Sequence, residues 1–285
     1  MESVGIIPNP ERVVACELAV RTARWFSSRG IDVRVPRAEA AASGLAEFAC
    51  EQADFVAGLD LVVSIGGDGT MLQSAARVFP HQVPIVGINA GQLGYLNAFE
   101  ASDLEAALAC LLRGEFQVTN RIVVQCAVHL GDGSATSTWF GINEVVLEKV
   151  AAGRMVRLAV KINGEPFTTY AADGVIVATP TGSTAYSLSA RGPIVSPTAR
   201  VLVLTPVSPH MLFDRSLVLG ETESIAFTVT DGRPIGLSVD GRTIAELNSG
   251  DRVECTVAQA PVQLVSPTDL GFHQILKAKF SLPDR

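Results

Sequence analysis

The stretch Leu61-Val62-Val63-Ser64-Ile65-Gly66-Gly67-Asp68-Gly69-Thr70-Met71 decides the fold of the first part of the chain. An apolar run of strand length, ending at Ile65, reads as a strand buried on both faces, the kind found in parallel sheets covered by helices. Glycines end it, and a helical pattern begins at Met71. Upstream, Val4 to Ile7 and Ile31 to Val35 read as two further strands. Between them Asn9 is predicted as an N-cap with Pro10 in the first helical position, Val14, Leu18 and Trp25 keep helical spacing, and Gly30 closes the helix. An Ala-rich helix is predicted to run to about Cys50. Downstream, Pro84 to Ile88 reads as a fourth strand, and Ser102 with Glu105 predicts a capping box for a helix carrying Leu104, Leu108, Leu111 and Leu112 up to Gly114. Alternating strands and helices predict an α/β domain with an open parallel sheet over residues 1–114.

From Phe116 onward the pattern changes to short strands with period-2 alternation, as in Arg121 to His129 and Arg157 to Ile162. Asp132-Gly133, Asn163-Gly164 and Asp231-Gly232 supply hairpin chemistry, so residues 115–268 are predicted as a second, mainly antiparallel β domain. No long Pro/Gly/Ser-rich linker separates the halves, and the cleft between them is the default expectation for a site.

A chain of 285 residues with 48% hydrophobic and 18% charged residues is neither disordered nor fibrous. No apolar run approaches the roughly 20 residues of a membrane helix, and the first residues lack a secretory pattern, which predicts a cytoplasmic protein without membrane attachment. A net charge of -7 with no basic window disfavours nucleic acid as a partner. Five scattered cysteines read as reduced small hydrophobes, and the four histidines lack metal-ligand spacing, so no protein-built metal site is expected.

Three clusters carry chemistry. In Gly66-Gly67-Asp68-Gly69-Thr70, glycines at a strand-to-helix turn let backbone N–H groups approach a phosphate, aided by the helix N-terminus. The Gly-Lys-Ser/Thr of a Walker A loop and the dinucleotide fingerprint are both missing. Asp68 is the informative residue, since a carboxylate among phosphates repels its ligand unless it takes a proton from an attacking hydroxyl or engages Mg²⁺; the alternative is a simple N-cap. The second cluster runs from Asp173-Gly174 through Thr181, Ser183, Thr184, Tyr186, Ser187 and Ser189, dense in hydroxyls suited to ribose and phosphate oxygens, or merely a turn capping a helix. Asn143-Glu144 could grip sugar hydroxyls or an amino group, or cap a turn.

With these clusters in hand, the sequence resembles the NAD kinases. The resemblance is carried in order by Gly66-Gly67-Asp68-Gly69-Thr70, Gly87-Ile88-Asn89 with Gly91, Leu93, Gly94 and Tyr95, Asn143-Glu144, Asp173-Gly174, Thr179-Pro180-Thr181-Gly182-Ser183-Thr184-Ala185-Tyr186, and Pro209-His210 with Arg215, and more weakly by Val239-Asp240-Gly241. The Thr179 to Tyr186 run is the most specific, because lipid kinases and phosphofructokinases are similar at the glycine loop. The resemblance implies the two-domain fold already read from the pattern, with residues 269–285, from about Asp269, returning to the first domain.

It further implies that Asp68 deprotonates the 2′-hydroxyl of the adenosine ribose of NAD. Asn143, Glu144, Thr184, Ala185, Tyr186 and Ser189, joined by Gly69, Tyr95 and Asp173, would line the NAD site, with Gly66, Gly67, Gly69 and Thr70 around phosphate. ATP or polyphosphate with Mg²⁺ would donate the phosphoryl group, in a homodimer or homotetramer. One departure stands out. Family members usually read Ser-Ala-Gly-Gly-Pro where this chain has Ser189-Ala190-Arg191-Gly192-Pro193. Arg191 either points to solvent or marks a pocket remodelled for a nucleoside or another small hydroxyl substrate. A nucleotide sensor is disfavoured by Asp68, and a lipid kinase by the second-half motifs and the lack of a membrane-binding stretch.

Overall fold

The computed structural model describes all residues except 92–93, 134–135, 152–154, 268–270 and 283–285, so Leu93 and Asp269 lie outside the described residues. The chain forms two compact units, Met1–Asn120 with Val262–Arg285, and Arg121–Pro261.

In the first unit, Ser3–Pro8, Leu61–Gly66 and Ile85–Asn89 are buried along their whole length, as their apolar sequences require. The sheet runs Ala49–Cys50, Asp32–Pro36, Ser3–Pro8, Leu61–Gly66, Ile85–Asn89, Val262–Ser266, Gln117–Arg121, with Phe99–Glu100 also paired to Ile85–Asn89. The ladders from Ala49–Cys50 to Ile85–Asn89 are all parallel. Helix Val13–Ser27 buries Ala15, Leu18, Ala19, Thr22, Ala23 and Phe26, one face at helical spacing, and each large apolar side chain buried this way contributes about 1.5–3 kcal/mol. Chain connections leave Ser3–Pro8 and its neighbour Leu61–Gly66 toward opposite edges of the sheet. That makes a topological switch point, with its crevice at the carboxyl ends of the two strands, at Asn9 and Gly67.

Several local expectations are corrected. The first helix begins at Val13 after an extended Arg12, because the Asn9 carboxamide is spent in a turn, its Oδ1 accepting the Glu11 N–H at 3.0 Å. The Ala-rich helix is only Arg37–Ser43, ended by Gly44 at φ 71°. Helix Leu104–Arg113 has no side-chain cap, since Ser102 donates instead to Asp103 Oδ2 at 3.1 Å, although Gly114 ends it at φ 72°. The run Arg121 to His129 is not one strand: Gln117–Arg121 belongs to the first unit's sheet and Val124–His129 to the second unit, so the first unit extends past Gly114. The chain returns to the first unit at Val262, before Asp269, because Val262–Ser266 is itself a strand of that sheet.

The second unit consists of two six-stranded antiparallel sheets. One runs Leu217–Gly220, Val201–Val207, Gly174–Ala178, Glu144–Lys149, Ile235–Val239, Arg242–Leu247; the other runs Glu165–Ala172, Val156–Ile162, Ile225–Val229, Arg252–Val257, Val124–His129, Thr136–Gly141. Alternating residues of both sheets, among them Val124, Val145, Leu158, Val175, Leu204, Phe227 and Leu237, form one core. Asn163 and Gly164, at φ 52° and 82°, make the expected hairpin. Asp132-Gly133 likewise lies between the paired strands Val124–His129 and Thr136–Gly141. Asp231-Gly232 does not make a hairpin. It carries the chain from one sheet to the other, because both edges of Ile225–Val229 are already taken by Val156–Ile162 and Arg252–Val257. All five cysteines are free thiols. Among the described residues no helix is long and apolar enough to cross a membrane.

Candidate active site

In the first unit, strand Leu61–Gly66 turns through Gly67 into helix Asp68–Val78. Gly67 is the N-cap and Asp68 stands in the first turn without capping it, so the simple-cap reading of Asp68 falls. The carboxylate instead faces the segment 94–97. Its Oδ2 accepts the Tyr95 N–H at 2.8 Å, and its Oδ1 accepts the Leu96 N–H at 3.2 Å and Asn97 Nδ2 at 3.0 Å. Gly94 is required there, since a Cβ would fall 1.9 Å from Asp68 Oδ1. Three donors fix the group in place, while about four acceptor directions on a carboxylate leave one for a ligand. Burial and the Asp68 charge push the Tyr95 hydroxyl up, and the Lys279 amine lies 5.3 Å from the Tyr95 ring centroid.

Thr70 is buried, its Oγ1 accepting Asn9 Nδ2 at 3.2 Å across the switch point. Beside it a cavity of about 450 Å³ is lined by residues including Asn9, Arg12, Glu39, Gly67, Gly69 and Arg77. Glu39 Oε1 pairs with Arg77 at 2.9 Å, and Glu39 Oε2 is buried without a hydrogen-bond partner.

The other candidates belong to the second unit. Asn143 precedes strand Glu144–Lys149, and its carbonyl accepts the Thr179 N–H at 2.9 Å. Gly182 packs directly on that carbonyl, where a Cβ would come within 2.0 Å. Glu144 is 7% exposed, with Oε2 unpartnered. Burial, then the neighbouring Asp240 charge, push its carboxyl up to about 7, against a Tyr186 backbone N–H that lowers it. Asp173 pairs with Lys149 at 2.6 Å. In the hydroxyl-rich loop, Ser183 and Ser187 are internal, with Ser183 bonded to the Pro180 carbonyl and Ser187 to Thr205, and Thr184 Oγ1 donates to the Thr181 carbonyl at 3.2 Å. Ala185 caps this short turn, whereas Tyr186 and Ser189 are exposed.

Two family models match this chain: the ATP-NAD kinase N-terminal domain over residues 4–116 and the ATP-NAD kinase C-terminal domain over residues 142–266. The chain belongs to the ATP-NAD kinase family. It is accordingly an enzyme, a kinase acting on NAD. The NAD kinase of Heliobacterium modesticaldum is 38% identical over 280 residues, covering 98% of each chain. That of Wolinella succinogenes is 34% identical over 284 residues, covering 100% of this chain and 97% of its own. Among solved structures, yeast NADH kinase complexed with NADH superposes with a TM-score of 0.92 at 25% identity, covering 100% of this chain and 89% of its own. An NAD kinase from Archaeoglobus fulgidus in complex with ATP shares the fold, with a TM-score of 0.74 at 22% identity and full coverage of both chains.

Against this kinase family, Arg191 has a simple backbone explanation. It is exposed and sits at φ 66°, the left-handed region that the usual family glycine adopts without strain. Sequence reasoning missed Asn97, Asp240, Lys149 and the cavity residues Arg12, Glu39 and Arg77. Only Asp240 had a signal, in the weaker resemblance at Val239-Asp240-Gly241, which gave it no role.

Proposed function

We propose that the enzyme transfers the γ-phosphoryl group of ATP to the 2′-hydroxyl of the adenosine ribose of NAD, producing NADP and ADP. The new O–P bond forms as the bond to the β-phosphate oxygen breaks, and the hydroxyl proton passes to the Asp68 carboxylate. The observation that carries this reading is Asp68 itself, fixed by three N–H donors at the start of a helix whose loop favours phosphate. Asn143, Glu144, Asp173, Thr184, Ala185, Tyr186 and Ser189, with Tyr95 and Gly69, bind and orient NAD. Catalysis then rests on positioning and charge stabilisation.

The cavity at the switch point supports ATP over inorganic polyphosphate as donor. Its volume of about 450 Å³ accommodates a nucleoside beside the glycine loop, and the Glu39 carboxylate in its wall suits ribose hydroxyls better than a string of phosphates. Among the described residues no three His, Cys, Asp or Glu side chains converge. Mg²⁺ would therefore be held by the donor phosphates and water, a usual manner for that ion, which leaves the one open acceptor direction of Asp68 to the hydroxyl proton. When bound it would neutralise charge developing on the transferred group.

The test is incubation with Mg²⁺ and either ATP or polyphosphate, against NAD, NADH and a set of nucleosides, with products identified by mass. NADP formed from ATP is expected, and Asp68→Asn should lower turnover by about 10²- to 10⁴-fold with NAD binding retained. Unreacted NAD together with a phosphorylated nucleoside would overturn the assignment.

A further inference from the structure

The Asn143-Glu144 pair hangs on a carboxylate that approaches it from a different strand connection. Asp240 and Gly241, at φ 47° and 74°, form the tight turn joining Ile235–Val239 to Arg242–Leu247. Asp240 Oδ2 accepts the Ile142 N–H at 2.8 Å, and Oδ1 accepts those of Asn143 at 2.8 Å and Glu144 at 3.0 Å. The Asp240 N–H in turn donates to the Glu144 carbonyl at 3.0 Å. From the opposite side, Thr179 holds the Asn143 carbonyl through its N–H and the Ile142 carbonyl through its hydroxyl. The backbone of 142–144 is thus fixed on both sides.

The donors are shared unequally between the buried Glu144 and the half-buried Asp240. Asp240 receives three N–H groups, while Glu144 faces one, from Tyr186, and keeps an oxygen without a partner. The charged groups around the adjoining Tyr186 hydroxyl are Glu148, Asp173 and Lys149, and Lys149 is committed to Asp173 at 2.6 Å. Burial pushes the Asp240 carboxyl up as well, but its three N–H donors oppose that shift, so where two close carboxylates compete the charge settles on Asp240. Burial and Asp240 push Glu144 up to about 7 accordingly.

We infer that Asp240 is a positioning residue of this kinase: it fixes the Asn143-Glu144 backbone and, by holding the pair's negative charge itself, adds to burial in keeping Glu144 protonated, so that Glu144 meets the dinucleotide as a hydrogen-bond donor. The inference rests on the reading that Glu144 contacts NAD. A neutral acid at that position also spares the anionic pyrophosphate a repulsion.

The experiment follows the Glu144 carboxyl by ¹³C NMR in the free enzyme, its signal identified by its loss in Glu144→Gln, alongside the pH dependence of KM for NAD. A midpoint near 7 is expected in the parent and a lower one in Asp240→Asn. KM should rise by about tenfold per pH unit above the midpoint, as the competent form is depleted. Glu144→Gln, a permanent donor, should give a KM for NAD that no longer rises with pH. A free-enzyme midpoint in the ordinary carboxylate range overturns the inference, as does a KM that still rises with pH in Glu144→Gln. Should Asp240→Asn fail to fold, Asp240→Glu serves instead, since moving the carboxylate off its donors should also displace the Glu144 midpoint from the parent's. Absence of NADP at every pH would overturn the functional reading, while a free-enzyme midpoint unmoved by substitution at Asp240 would overturn the role of Asp240 on its own.

Discussion

Arg191 occupies a backbone conformation that suits another residue, and replacing it tests how far its side chain matters. At φ 66°, just beyond the short helix Tyr186–Ser189, its N–H donates to the Leu188 carbonyl at 3.0 Å, which ties the residue to this geometry. A left-handed conformation costs a residue with a Cβ about 1–2 kcal/mol. Glycine avoids that cost but loses about 0.5–1 kcal/mol through the greater freedom of its unfolded chain. Arg191→Gly should therefore stabilise the protein by about 0.5–1 kcal/mol, a rise of roughly 2–4 °C in Tm per kcal/mol for a unit of this size. Calorimetry on the parent, Arg191→Gly and Arg191→Ala separates backbone from side chain, because the alanine variant keeps the conformational cost while removing the guanidinium. Alanine should match the parent and glycine should exceed both, with NAD phosphorylation unchanged within a few-fold. A glycine variant no more stable than the parent would refute the strain argument. A tenfold gain in NAD turnover would refute the surface reading by placing the guanidinium in the path of the substrate.

Gly94→Ala should lower turnover by about 10²-fold or more while circular dichroism stays native, because a Cβ 1.9 Å from Asp68 Oδ1 displaces the base; turnover near the parent's would show that the position of Asp68 is not critical. Glu144 has a folded-state value of about 7, raised from 4.5, so its contribution to stability is complete below pH 4.5 and lost as pH climbs through 7. The loss amounts to about 3 kcal/mol, and the Tm difference between parent and Glu144→Gln should change accordingly between pH 5 and 8; a constant difference would contradict it. Glu39→Gln should improve the use of polyphosphate relative to ATP by removing an anion from the cavity wall, and an unchanged donor ratio in a phosphorylation assay would count against the donor assignment.

The part of the fold legible in the sequence is the part encoded by local pattern. Leu61 to Thr70 announces strand, loop and helix within ten residues, and the hairpin at Asn163-Gly164 follows from turn chemistry alone. Patterns that continue across a change of partner mislead. Ile122, Val123 and Val124 are all buried, an interruption of the alternation that is easily passed over because the chain leaves one sheet for another there without a turn residue. The Asn9 cap fails because its Oδ1 is spent in a turn on the Glu11 N–H while its Nδ2 reaches Thr70, 61 residues away. In the site, Asp68 is visible because a carboxylate in a phosphate loop is chemically odd. The groups that hold it include the backbone N–H of Tyr95 and Leu96, which have no residue signature. Asp240 is harder still, since its three bonds reach back to residues 96 to 98 positions earlier.

The strand Val262–Ser266 lies between Ile85–Asn89 and Gln117–Arg121 in the first unit's sheet. During synthesis this slot stays open while the whole of Arg121–Pro261 leaves the ribosome. The second unit, continuous in sequence, has all its strands available first, whereas the unit bearing Asp68 waits for its last strand. The order of completion is thus reversed with respect to the order of translation, and until the final segment arrives two strand edges of the first unit remain exposed to wrong partners. A chain truncated before Val262 would therefore lose the strand that joins Gln117–Arg121 to the sheet carrying Asp68, even though every residue of the glycine loop is present.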